Sequence, residues 1–83
     1  MALPDGSDVD KLAEVGLAFL YLTMHEGSGG TRAWKSLDWD VLDLLYERGW
    51  ISNPKSKAKS VALTEEAAEL AGSYFEKHFG PGT

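Results

Sequence analysis

The chain has 83 residues, of which 43% are hydrophobic and 25% charged, which is the balance of a globular domain rather than of a disordered or membrane-embedded one. It contains no cysteine, so disulfides and thiolate metal sites are excluded. Its net charge of −5 disfavours nucleic acid everywhere except at a local basic patch. So short a chain builds a thin core, and without disulfides the remedies left are tight helix packing or a second chain.

Residues 1–7 contain Pro4 and Gly6 and read as a loose lead-in, with no basic segment of the kind that opens a signal peptide. Ser7 or Asp8 is placed to cap a first helix, and Asp8 and Asp10 suit the positive end of its dipole. The periodicity carries this helix to about His25, where Gly27-Ser28-Gly29-Gly30 stops it. Leu12, Val15, Phe19 and Leu22 share one side, and Val9, Leu17, Leu20 and Met24 continue that surface around. The polar remainder is narrow: Lys11, Glu14, Tyr21 and His25. The apolar arc covers roughly 220°, against about 100° for a helix that faces a single core. Such a helix is either central to the fold or also buries against a second chain. The run Val15–Met24 is too short to span a membrane.

Residues 26–37 read as a Gly-rich loop followed by the irregular segment 31–36. Asp38 can cap a second helix, Trp39–Arg48, and Gly49 stands where a left-handed residue ends it. Val41, Leu42 and Leu45 form its inward face, extended by Trp39 and Tyr46. Trp50-Ile51 and Val61-Ala62-Leu63 are short apolar segments around a polar loop with Asn53-Pro54, which reads as a hairpin. Thr64 caps a third helix, with Glu65 and Glu66 in its first turn. Ala67, Leu70, Ala71, Tyr74, Phe75 and His78 form its apolar stripe, and Gly80-Pro81-Gly82 ends it. The expected fold is mainly α with a small β-hairpin, in the order helix–helix–hairpin–helix. It forms one domain over 1–83, with 1–7 and 80–83 as loose termini.

Two stretches carry a resemblance. Leu44-Leu-Tyr-Glu-Arg-Gly-Trp-Ile51, a hairpin, and then Val61-Ala-Leu-Thr-Glu-Glu66 resemble the second half of a winged-helix domain over residues 38–75. The whole chain also resembles a family of small uncharacterised bacterial proteins. That likeness rests on Leu20-Tyr-Leu-Thr23, Ala33-Trp-Lys35, Asp38-Trp-Asp40 and Lys57-Ala-Lys-Ser-Val-Ala-Leu-Thr64. It implies a bacterial origin and a winged-helix-like second half, and no activity. The chain departs from DNA-binding winged helices in two ways. No clear supporting helix lies between the first two, and the helix in the recognition position points Asp40, Asp43 and Glu47 outward, where they oppose phosphate.

Four groups of residues are candidates for function. Lys55, Lys57 and Lys59 either grip a phosphate backbone or protect an exposed strand edge from pairing. Arg32, Trp34 and Lys35 could stack and pair with single-stranded nucleic acid, or Trp34 plugs the gap between the first two helices while the cations stay wet. Asp40, Asp43 and Glu47 form one acidic stripe. It is a docking surface for a basic partner, a match for the lysine loop of a second copy, or an ordinary solvated face. His25 and His78 are the two imidazoles, and their spacing makes no zinc site. No nucleophile elbow or phosphate loop is visible. The expectation is a cytoplasmic protein-interaction module, homodimeric through the first helix, with no catalysis, no cofactor and no membrane partner. Nucleic-acid binding through Lys55–Lys59, Arg32 and Lys35 is the alternative.

Overall fold

The computed structural model describes residues 6, 8–27 and 30–80. The loose termini expected at 1–7 and 80–83 lie mostly outside these residues, as does Ser7. The elements run α1 (Val9–Tyr21), β1 (His25–Gly27), β2 (Gly30–Trp34), α2 (Trp39–Glu47), β3 (Ser60–Ala62) and α3 (Glu65–Phe79). The chain is mainly α with a small antiparallel sheet of order β1-β2-β3.

Local signals set the helix ends. Asp8 caps α1 by accepting from the Lys11 amide at 3.0 Å. Asp38 caps α2 through the Asp40 amide, and Thr64 Oγ1 caps α3 through the Ala67 amide, both at 3.0 Å. At the far end of α2, Gly49 has φ +76°; its amide donates to the Tyr46 carbonyl, and the Trp50 amide donates to that of Leu45. This is a Schellman ending, and it requires a residue that tolerates the left-handed region.

Two expectations are corrected. The first helix does not reach His25. It closes at Leu22 in a tight turn in which the amides of Leu22, Thr23 and Met24 bond back three residues, and His25 opens β1 opposite Arg32. The segment 31–36 is not irregular, since its first four residues complete β2. Both differences have one cause. Gly27 pairs with Gly30, so these two glycines belong to an antiparallel pair of strands rather than to a plain helix stop.

The hairpin expected between Trp50-Ile51 and 61–63 is reduced to an isolated bridge, Ile51 to Leu63, beside the Ser52 amide to the Ala62 carbonyl at 2.9 Å. The regular partner of β3 is β2, with Ala33 opposite Val61. The regular hairpin therefore precedes α2. From α2 onward the order is helix, loop, strand and helix, in place of the helix, hairpin and helix expected for 38–75. Asn53 and Pro54 do open a turn: the Lys55 amide donates to Asn53 Oδ1 at 2.9 Å, and Pro54 is fully buried beneath the loop.

The core lies between the inner face of the sheet and the three helices. Leu17 and Leu20 of α1, Leu42 and Leu45 of α2, Ala33 and Val61 of the sheet, and Ala67 and Ala71 of α3 are buried together. α1 packs most extensively on α3, where the small residues Ala67 and Ala71 let the helices approach. It meets α2 at Gly16. A Cβ there would stand 2.7 Å from a methyl of Val41, so this crossing needs glycine.

Candidate functional site

On α1 the buried side is Ala13, Gly16, Leu17, Ala18 and Leu20, not the centre of the apolar arc. Val9, Phe19 and Leu22 are 44%, 42% and 63% exposed. Leu12, Val15, Gly16 and Phe19 join Leu37 and Val41 to line an apolar groove of about 160 Å³. Phe79 of α3 stands beside it, also exposed, with its ring centroid 5.3 Å from that of Phe19. The arc is wide because the helix has two apolar sides: one is core, and the other is an open groove with two phenylalanines on its rim.

The outer face of the sheet is the second surface. Ala33 is buried against the helices, so strand alternation sends Arg32 and Trp34 to the opposite face, with His25 across from Arg32. Trp34 is therefore not a plug between the first two helices. It is 50% exposed, and one side of its indole stacks on His25 at 4.9 Å and 30°. Arg32 is spent within the sheet. Its stem crosses Gly27, Nε donates to Ser60 Oγ at 2.8 Å, and Nη2 donates to the Ser60 carbonyl at 2.9 Å. Trp39 and Tyr46 do not extend the inward face of α2 either. They are 56% and 46% exposed, because the nine-residue helix turns only Leu42 and Leu45 fully inward.

Lys55, Lys57 and Lys59 are all exposed on the loop that leads into β3. Lys35 ties that loop to β2: its amide donates to the Lys59 carbonyl at 3.1 Å, and its Nζ donates to the Ser56 carbonyl at 2.8 Å while lying 6.0 Å from the Trp39 ring centroid. Asp43 and Glu47 line one depression with Tyr46, Asn53 and Lys55. The loop and the acidic stripe, which one alternative paired between copies, thus adjoin within one copy at Lys55, while Asp40 lies one turn away.

Glu14 of α1 anchors a third polar cluster. It accepts from Lys77 Nζ at 2.9 Å and meets His78 Nε2 at 3.0 Å. The hydrogen bond from Lys77, then that from His78, holds the Glu14 carboxyl below its ordinary value, and the same contact with Glu14 raises Lys77. His78 is thus the inner-stripe residue that joins α3 to α1. Among the described residues no three His, Cys, Asp or Glu side chains gather as a metal would require.

Residues 8–81 match the family model described as a domain of unknown function, DUF6429. The chain belongs to the DUF6429 family. It is 40% identical over 72 residues to the uncharacterized protein y4hR of Sinorhizobium fredii, a match that covers 87% of this chain and 93% of that protein. No solved structure matches it. The matched region begins at the Asp8 cap and takes in all of the surfaces above, so each belongs to the DUF6429 domain itself. Among the described residues no helix is long and apolar enough to cross a membrane.

Sequence reasoning singled out the lysine loop, the acidic stripe and Trp34. It missed Trp39 as a surface residue and the Glu14–Lys77–His78 cluster. Glu14 and His78 come together across 64 positions, and no short spacing signals that meeting.

Proposed function

We propose that this DUF6429 domain is a winged-helix-like protein-interaction module, folded as one domain over 1–83, that works as a cytoplasmic homodimer without catalysis. The observation that carries the reading is the open groove on α1 with Phe19 and Phe79 on its rim.

A rim of large side chains beside an apolar groove is what a two-fold axis can use. The Phe19–Phe79 pair of one copy fills the groove of the other, and the reciprocal contact forms by symmetry. Burying such aromatics offsets the thin core of a short chain. Asp40, Asp43 and Glu47 serve as a polar surface for a further, basic partner.

Sedimentation equilibrium over about 1–100 µM tests the dimer, a range set by the roughly micromolar affinities of modest interfaces. The wild type is expected to exceed the 9.0 kDa of one chain, and Phe19→Asp is expected to return it to that mass. Phe19 is exposed, so the substitution leaves the monomer core intact. A wild-type protein that stays at monomer mass throughout sinks the reading.

A further inference from the structure

The outer face of the sheet and the α1 groove are formed by different residues. Trp34 is held in place before any ligand arrives. Its backbone amide donates to Thr23 Oγ1 at 3.2 Å, His25 supports one side of the indole, and half of the side chain's surface stays open to solvent. An exposed tryptophan braced in this way is a stacking platform, since its rotamer entropy is already spent.

Cationic residues concentrate in two segments of the chain at this end of the sheet. Five of the chain's eight lysines and arginines fall in the two segments 32–35 and 55–59, which meet where β2 pairs with the approach to β3. Lys59 directly precedes Ser60, the cross-strand partner of Trp34. The net charge of −5 therefore conceals a cationic end of the sheet.

We propose that this end of the sheet binds single-stranded nucleic acid, with a base stacked on Trp34 and phosphates on the exposed lysines of the loop that leads into β3. Arg32 has a different role from the one its sequence position suggests: it clamps β2 to Ser60 and so keeps the platform flat. A single strand is favoured over a duplex by the neighbouring acidic stripe. Asp40, Asp43 and Glu47 oppose the regular phosphate rows of a rigid double helix laid along α2, whereas a flexible strand can follow the lysines and avoid them. Every base has a face to stack, so the site recognises strandedness rather than sequence.

The test is fluorescence anisotropy of a labelled thymidine oligonucleotide about twelve nucleotides long, at about 50 mM salt, with an unlabelled duplex of equal length as competitor. The strand is expected to bind. Trp34→Ala and the double change Lys57→Gln with Lys59→Gln should each weaken binding roughly tenfold, Trp34→Tyr should keep most of it, and about 300 mM salt should abolish it. The duplex should compete at least about tenfold more weakly. Absence of binding at about 200 µM protein overturns the proposal, as does equal affinity of the folded Trp34→Ala variant or equal competition by the duplex. An acidic peptide that binds this face in place of the oligonucleotide also overturns it. Repeating the titration with Phe19→Asp separates the two surfaces: binding by the monomeric variant supports this site whatever becomes of the dimer, and binding that vanishes with that change overturns it.

Discussion

Glu14 and His78 meet at 3.0 Å across the α1–α3 contact, and Lys77 shares the same carboxylate oxygen at 2.9 Å. One carboxylate on the first helix thus joins two successive residues in the last turn of the third. There the Lys77 ammonium also favours the negative end of the α3 dipole.

That arrangement gives stability a defined pH dependence. The Lys77 and His78 contacts hold Glu14 below its ordinary value of 4.5, so its contribution is present above that pH and is lost as pH falls through the lower folded value. Lys77 is raised above 10.5, so its contribution is present below that pH and is lost as pH rises through the higher folded value. Melting temperature measured from pH 6 down to about pH 3 should fall more steeply in the wild type than in Glu14→Gln. Parallel curves for the two proteins would remove Glu14 from the acid limb.

The Thr64 cap makes an independent, local contribution. Thr64→Ala leaves the Ala67 amide without its side-chain acceptor and should cost about 1 kcal/mol, while Thr64→Ser should cost much less. Urea midpoints of the three proteins, compared at a common slope, measure the difference.

Gly16 tests the crossing of α1 and α2. Alanine would normally stabilise a helix interior, but here its methyl meets a β-branched neighbour held in a helical rotamer. Gly16→Ala should therefore gain nothing, and Gly16→Val should lose roughly 1–3 kcal/mol through overpacking. A stabilised Gly16→Ala, read by thermal melting, would show that α2 can move away.

Arg32 should behave as a structural residue. Arg32→Lys keeps the charge but loses the two-pronged contact with Ser60, and should cost about 1–2 kcal/mol. Ser60→Ala removes only the hydroxyl acceptor and should cost less, with the double change no worse than Arg32→Lys alone. Full additivity in that cycle would mean that Arg32 and Ser60 do not act together.

The parts of this fold that were legible in the sequence are those decided within one turn of chain. Asp8, Asp38 and Thr64 each cap a helix through an amide two or three residues on, and Gly49 ends α2 through its own φ. The buried pairs Leu42–Leu45 and Ala67–Ala71 follow from helical spacing alone. Strands β1 and β2 were less legible, because His-Glu-Gly and Gly-Thr-Arg-Ala-Trp have little apolar alternation. Their clearest signal is Gly27 and Gly30, which pair with each other where the two strands meet.

Which side chains reach the surface was settled further from home. In β2 either Ala33 or Trp34 had to face the helices, and a one-residue change of register would exchange them. Pairing with Val61, 28 positions along the chain, puts the small residue inward and leaves the tryptophan to solvent. The wide apolar arc of α1 likewise announced two faces without saying which was core. Only the close approach at Gly16 and the alanines of α3 turned Leu17 and Leu20 inward and left Phe19 on the rim of a groove. Composition, caps and spacing determined a small, mainly helical protein with three capped helices. Tertiary packing decided its two open surfaces, because burial is settled by partners that local sequence does not contain.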